Sequence, residues 1–430
     1  MMRVVIMAGG KGTRIASVRN DLPKPMIPVC GKPILEWQIE NLKASGLTDI
    51  ILVVGHLGDV IKDYFDDGSR WGVTVSYFIE TQPLGTAGAL FRMPELKEDF
   101  LLMSGDVMLD VDFNRFIKFH REHNALASLT VHPNNHPFDS SLIVTETLPA
   151  RNGGLPLHTN KVIKWMNKED DRLYYRNIVN AGIEIISPQL LKEMQGKLSN
   201  LEKVDLDRDV LKPAISSGRI YAYETSEYIK DMGTPDRLKE VESDLTSGKI
   251  SARNLSVKQK AIFLDRDGTI NMAKGFLTDV NDFELIEGVA EAIGRINKSG
   301  FLAVVVTNQP VIARGECSFE QLQKIHDKME TLLGKKGAFI DGLFLCPHHT
   351  DKGFEGERIE YKVDCECRKP KAGLFFQAER ALNIDLSQSY MVGDSETDIK
   401  AAENAGCKKA VLIETNKENA LLAVVNEILK

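Results

Sequence analysis

Short apolar runs alternate with amphipathic stretches along almost the whole chain. In the first half, V-V-I-M-A from Val4, I-I-L-V-V-G from Ile50, V-T-V-S-Y-F-I from Val73 and F-L-L-M-S-G-D from Phe100 read as strands. Between them the spacing predicts helices over Ile34–Ala44, Asp59–Phe65 and Phe113–Glu122. Such alternation predicts a mostly parallel sheet with helices on both faces. After Leu238 the strand signal lapses into K-E-V-E-S-D-L-T-S-G-K-I-S-A-R-N-L-S-V-K, rich in charge and Ser. It then restarts with A-I-F-L from Ala261, F-L-A-V-V-V-T, D-G-L-F-L-C, S-Y-M-V-G-D and K-A-V-L-I. Two doubly wound α/β domains are expected, over residues 1–245 and 259–430, joined by a linker at 246–258. On the predicted helix from Phe319, the stripe Phe319, Leu322, Ile325, Met329 and Leu332 is expected to be core.

A chain of 430 residues is too long for one ordinary core, which agrees with two domains. With 43% hydrophobic and 27% charged residues it is a globular composition. A net charge of -7 without a Lys/Arg block argues against nucleic-acid partners. The N-terminus enters a strand and glycine loop at once, and no apolar run is long enough to cross a bilayer, so a cytoplasmic protein with no membrane partner is expected. Six cysteines, three of them in C-x-H and C-x-C groupings, suggest metal ligation and not a disulfide framework.

Candidate chemistry appears at two places. The first is A-G-G-K-G-T-R followed by L-P-K-P. Gly9, Gly10 and Gly12 let the backbone approach a phosphate, Arg14 can add charge, and Lys24 is a cation held between two prolines. This pair of motifs resembles the sugar-1-phosphate nucleotidyltransferases, of Rossmann-like, GT-A type fold. The resemblance implies that Gly9, Gly10, Gly12, Thr13, Gly85, Thr86 and Ala87 bind nucleotide, with Arg14 and Lys24 catalytic. It further implies that Asp106 and Asp231 hold Mg2+, and that Lys168, Asn180 and Gly182 bind the sugar phosphate. The chain departs from the family at Asn167-Lys168-Glu169, where Glu-Lys-Pro is usual.

The second place is F-L-D-R-D-G-T. Asp265 and Asp267 are two apart, so on an extended backbone both side chains leave one side and Arg266 points away. That places Asp265 to attack phosphorus and Asp267 to move the proton. With Thr307-Asn308, Arg368-Lys369-Pro370, Gly393-Asp394 and Asp398 in order, the stretch resembles the haloacid dehalogenase-like (HAD-like) phosphatases. The resemblance implies Mg2+ on the Asp265 side chain, the Asp267 carbonyl and Asp394, with Thr307, Asn308 and Lys369 catalytic and Arg368 at the substrate; Lys371 rivals Lys369. Cys346-x-His348 and Cys365-x-Cys367 supply four N/S ligands for a structural Zn2+, with His349 as the alternative histidine. These motifs together resemble the heptose-1,7-bisphosphate and histidinol-phosphate phosphatases, and F-L-T-D-V-N-D-F-E-L-I-E-G-V favours the heptose branch. The departure is Pro310-Val311, where that family has Ser-Gly.

A phosphatase that leaves a heptose 1-phosphate and a transferase that consumes a sugar 1-phosphate form consecutive steps. The first half resembles the guanylyltransferases that make GDP-D-glycero-α-D-manno-heptose. The expected small-molecule partners are therefore heptose bisphosphate, heptose 1-phosphate and GTP; a homo-oligomer is left open. Two alternatives stand: a phosphatase with a non-catalytic nucleotide- or sugar-binding module, and a mannose-1-phosphate guanylyltransferase fused to a sugar or histidinol phosphatase.

Overall fold

The computed structural model describes residues 2–10, 21–150, 154–198 and 202–430. Gly12, Thr13 and Arg14 lie outside the described residues. The first half is built on a nine-stranded sheet in the order Thr74–Ile79, Asp49–Val54, Arg3–Met7, Phe100–Ser104, Val179–Ile186, Ala127–His132, Ile220–Glu224, Leu157–Met166 and Leu142–Leu148. Four neighbouring pairs run parallel, and from the Phe100–Ser104 strand onward antiparallel pairs predominate. The sheet is thus mixed, not mostly parallel: Leu142–Leu148 and Leu157–Met166 form a hairpin, and Val179–Ile186 inserts antiparallel between Phe100–Ser104 and Ala127–His132. Alternate residues of the first strand feed opposite faces, Val4 and Ile6 one core, Val5 the other.

The second half is a five-stranded, wholly parallel sheet ordered Gly342–Cys346, Phe301–Asn308, Lys260–Leu264, Tyr390–Gly393 and Lys409–Leu412. Ile262 and Leu264 pack with the helices Val289–Asn297 and Phe319–Lys335, whereas Ala261 and Phe263 face Gly373–Leu382 and Glu396–Ala405. Both faces are covered, as an all-parallel sheet requires. Ile325, Met329 and Leu322 are buried, with Leu332 and Phe319 packed beside them, so the helical stripe is core.

The segment expected to be a linker is folded into the interface. A short helix, Lys249–Ala252, follows the long helix Pro235–Thr246. Arg253 then forms an ion pair with Asp341 at 2.5 Å, the two side chains 4% and 0% exposed, and donates to the carbonyls of Ser226 and Phe301. Leu255 is buried and its N–H donates to Glu227, while Asn254 donates to Asp110. Sequence polarity signalled a boundary; these side chains are polar because they pair across it. On the other side of the interface, the helix Phe319–Lys335 receives the Tyr175 N–H at Thr331 Oγ1 (2.9 Å) and the Asn177 N–H at Glu330 Oε2 (2.6 Å). The hairpin formed by Leu142–Leu148 and Leu157–Met166 reaches further: Ala150 packs on the Val311–Tyr361 cluster and Gly154 accepts the Tyr361 hydroxyl. Among the described residues no helix is long and apolar enough to cross a membrane.

Candidate active sites

In the first domain, Asp106 and Asp231 are 125 positions apart but end up adjacent. The strands Val107–Asp110 and Tyr228–Asp231 pair antiparallel with Asp231 opposite Val107, and the Met232 N–H donates to the Asp106 carbonyl. Asp106 accepts from Ser104 Oγ at 2.6 Å and is ion-paired with Lys24, which the short Lys24–Met26 turn between two prolines holds in place. Asp231 is ion-paired with Arg237 and accepts the Gly233 N–H. Burial works to raise its pKa, but Arg237 and the backbone hydrogen bond hold it below the usual carboxylate value.

Gly9 and Gly85–Ala87, expected from the sequence to bind nucleotide, are packed closely. A Cβ on Gly9 would lie 2.7 Å from Glu80 Oε2, and burial raises the pKa of Glu80. Gly85 sits at φ +85° with the Val204 carbonyl where a Cβ would be, Ala87 donates to that carbonyl, and Thr86 Oγ1 accepts the Leu206 N–H. Among the described residues nothing lies within 4 Å of a Cβ built on Gly10.

Around Asn180 and Gly182, expected to bind the sugar phosphate, the strand Val179–Ile186 shifts register between Asn180 and Glu184, and a Cβ on Gly182 (φ +69°) would meet nothing within 4 Å among the described residues. Asn180, Asp207 and Asp231 line one pocket of about 350 Å³. Glu184 is wholly buried, its pKa raised by burial and by Asp207. Asp207 is itself pushed up to about 6 by burial and Asp205, with Lys212 opposing. Lys168 is largely exposed and beside Glu169, whereas the Asn167 amide oxygen accepts from Lys212. Lys212 and Arg237 are the cations that sequence reading missed here; Arg237 lies in the first turn of a helix directly after the G-T-P signal, while nothing local marked Lys212.

In the second domain the strand Lys260–Leu264 delivers Asp265 to the C-terminal edge, and the parallel strand beside it delivers Thr307 and Asn308. Lys369 Nζ lies 2.7 Å from Asp265, 2.6 Å from Asp398 and 2.8 Å from the Val306 carbonyl. Lys371 instead faces Asp364 and Glu366 on the surface, so the geometry favours Lys369 over its rival. Asn308 exchanges two hydrogen bonds with the backbone of Lys369, both 3.0 Å, and so holds that lysine's segment. Arg368 donates to the His348 carbonyl and braces the cysteine loop. Val311 is buried with Ile312, Ala313, Cys317, Leu322 and Tyr361, and the Pro310 carbonyl accepts the Arg314 N–H.

Arg266 does not point away. The strand ends at Leu264, the backbone curls through Gly268 (φ +82°), and the guanidinium folds onto Asp267 at 2.7–2.8 Å. Alternation of side chains lapses once the extended backbone ends. Burial would raise the Asp267 pKa, yet the Arg266 charge and hydrogen bonds from Arg266, Asn271 and Gln309 hold it below the usual range. Asp265 is pushed up to about 6 by burial, with Lys369 opposing.

Two groups of side chains have donors suited to cations. Ligand atoms of Asp265, Asp394 and Asp398 lie within 4.8 Å of one another, although Asp398 is already engaged by Lys369 and the Ser395 N–H. Asp394 sits so close that a Cβ on Gly268 would be 2.2 Å from its Oδ2. The second group is Cys346, His348, Cys365 and Cys367, with sulfurs 3.2–3.5 Å apart and His348 Nδ1 3.4 Å from Cys367. His349 stands outside that group, beside Asp351.

The nucleotidyl transferase family profile matches residues 3–248, more than half of the chain. The chain belongs to the nucleotidyl transferase family. A HAD-hydrolase-like profile matches residues 366–424. The D-glycero-β-D-manno-heptose-1,7-bisphosphate 7-phosphatase of Haemophilus ducreyi is 48% identical over 160 residues, 37% of this chain and 85% of that protein. The enzyme of the same name from Escherichia coli K12 is 41% identical over 174 residues, 39% of this chain and 89% of its own length. Among solved structures, HddC from Yersinia pseudotuberculosis complexed with GMP-PN has 26% identity and a TM-score of 0.46, covering 57% of this chain and all of that one. The protein is thus an enzyme that joins a nucleotidyl transferase domain to a HAD-like phosphatase domain.

Proposed function

We propose that the chain performs two consecutive steps of GDP-heptose synthesis: removal of the 7-phosphate from D-glycero-D-manno-heptose 1,7-bisphosphate, then guanylyl transfer from GTP to heptose 1-phosphate with release of pyrophosphate. The observation that carries the first step is the Lys369 ammonium seated between Asp265 and Asp398 at the strand edge. An Asp265 oxygen attacks phosphorus, the P–O bond to carbon 7 breaks, and Asp267 supplies the proton to that oxygen. Water, deprotonated by Asp267, then hydrolyses the aspartyl-phosphate. Thr307 and Lys369 stabilise the transferring phosphoryl group. Asp265, Asp394 and the Asp267 carbonyl would hold Mg2+, which neutralises phosphoryl charge when bound. Cys346, His348, Cys365 and Cys367 would hold a structural Zn2+.

In the transferase, a sugar-phosphate oxygen attacks the α-phosphorus of GTP and pyrophosphate leaves. The chain's task is alignment and charge. Lys24 stands at the nucleotide phosphates, Gly9, Gly10 and Gly85–Ala87 shape the nucleotide wall, and Asn180, Gly182 and Lys168 meet the sugar phosphate. Asp106 and Asp231 would hold the Mg2+. Guanine and the heptose rest on the motif resemblance and on the phosphatase relatives. Those relatives are named for the β anomer; here the α bisphosphate is expected, because the transferase motifs resemble those of the α series.

A second reading, a non-catalytic nucleotide-binding module, draws on Asn167, whose amide is taken by Lys212 and offers no acidic partner to Lys168. One assay separates the two: either bisphosphate anomer with GTP and Mg2+, following phosphate and pyrophosphate independently. Phosphate without pyrophosphate, with heptose 1-phosphate accumulating and other nucleotides also tried, would sink the bifunctional reading. Asp265→Asn is expected to abolish phosphate release and spare guanylyl transfer, and Asp106→Ala to do the reverse.

A further inference from the structure

Among the described residues Arg266 is the largest wholly buried side chain, at 0% exposure, and it lies one residue from the proposed phosphatase nucleophile. A buried guanidinium is retained only where each side of it is paired. One side meets the Asp267 carboxylate at 2.7 and 2.8 Å. Its remaining partners are Gln309 Oε1 at 3.1 Å and His326 Nε2 at 3.0 Å. Because arginine only donates, His326 must accept there, which fixes it as the neutral Nδ1–H tautomer. Gln309 closes the ring by donating to Asp267 Oδ2 and to Thr307 Oγ1, both at 2.9 Å. Gln309 and His326 are 2% and 3% exposed.

We propose that Arg266, Gln309 and His326 are positioning residues that fix the Asp267 carboxylate for proton transfer, with His326 orienting Arg266 from the helix that the transferase domain grips. Gln309 ties the acid/base to Thr307 at the phosphoryl group, so the two move as one unit. His326 touches no reacting atom and acts only through Arg266. It sits one turn before Glu330 and Thr331, which take hydrogen bonds from the transferase segment at Tyr175 and Asn177.

The inference rests on Asp267 being the acid/base, and the experiment separates the two claims. In the 430-residue chain, kcat and KM are measured for heptose bisphosphate, whose alkoxide leaving group needs a proton, and for p-nitrophenyl phosphate, whose leaving group does not. His326→Leu and Gln309→Leu are expected to lower kcat on the bisphosphate about tenfold or more, with KM within about twofold and a much smaller loss on the aryl ester. His326→Gln, whose side-chain oxygen can accept from Arg266, is expected to recover most of the loss. Equal losses on both esters, no loss at all, or His326→Gln as impaired as His326→Leu would overturn the proposal. Should His326→Leu fail to fold, as judged by lost pyrophosphate release, Gln309→Leu decides by the same ratio. Asp267→Asn serves as the reference: if it keeps full bisphosphate activity, the acid/base assignment fails; if it is dead while Gln309→Leu is unaffected, only the positioning claim fails.

Discussion

Replacing Lys369 by Met tests the phosphatase site most directly. Its ammonium, 2% exposed, is the cation between Asp265 and Asp398, which are 13% and 1% exposed. Without it two carboxylates face each other in a site nearly closed to water. Removing one partner of a buried pair costs about 3–5 kcal/mol, less whatever is recovered when a carboxylate takes up a proton. Burial already pushes Asp265 up to about 6 with Lys369 opposing, so losing the lysine drives it higher still and favours its protonated, non-nucleophilic form. Turnover should fall at least about a hundredfold, the scale seen when a donor to a developing charge is lost. An acid whose folded pKa is raised binds its proton more tightly in the native state. The stability deficit of the variant should therefore be greatest above that pKa and shrink as pH falls toward the ordinary aspartate value. The assay pairs single-turnover phosphate release with urea unfolding at several pH values, the latter without added divalent metal. Lys371→Met is the control, because its partners Asp364 and Glu366 are 78% and 90% exposed, and it should leave both measurements nearly unchanged. Loss of phosphate release in Lys371→Met, with Lys369→Met active, would refute the assignment.

Arg253→Met should destabilise the full chain by about 3–5 kcal/mol, because Asp341 stays buried without its cation, and limited proteolysis should then cut within 246–258. Glu227, pushed up to about 7 by burial against hydrogen bonds from Asp112, Leu255 and Thr225, makes stability fall as pH rises from the ordinary carboxylate range through neutrality. Glu227→Gln can keep both backbone bonds at Oε1 and should flatten that slope, as read from unfolding midpoints between acid and alkaline pH. Cys365→Ser, or chelation, should strip a bound zinc measurable by metal analysis and lower phosphate release, while pyrophosphate release persists.

The fold was legible wherever local periodicity carries it. Ile34–Ala44 was predicted to the residue and the strands of the second domain to within a residue or two, because each is a short apolar run between turn signals. Antiparallel pairing past residue 140 was not legible, since strand partners are set by distant contacts that no local pattern encodes. At the candidate sites Asp265, Thr307 and Asp106 were legible because each lies at or just past the end of an apolar strand run, whereas Lys24 and Lys369 sit in turns and were marked by their neighbouring prolines. Of the groups around them, Gln309, His326 and Lys212 were missed because their partners come from distant elements, whereas Arg266 and Arg237 pair with carboxylates one and six residues away once the backbone leaves the strand. His326 reads as one more polar position on an amphipathic helix until Arg266 is seen beside it. The pairing of Arg253 with Asp341 was likewise not legible, because the two are 88 positions apart.

The placement of the two sites bears on how the intermediate travels. Arg253 meets the second sheet at Phe301 and Asp341, the starts of parallel strands, whereas Asp265 and Thr307 lie at strand ends. A five-residue strand spans about 16 Å. The pocket holding Asn180 and Asp231 is also lined by Lys298 and Asp341, so it opens at the starts of those strands. On the proposed function, product leaving the Asp265 edge would emerge at the opposite end of its strands from the pocket holding Asn180 and Asp231, and joining the domains gives little advantage unless a path exists for direct transfer. We expect free release. A mixture of the Asp106→Ala and Asp265→Asn proteins, each supplying one working site at the parent's concentration, should form GDP-heptose at the parent's rate after a similar lag. Unlabelled heptose 1-phosphate should dilute label from the bisphosphate equally in the parent and the mixture. A parent that outpaces the mixture and resists that dilution would refute free release and require a path between the edges.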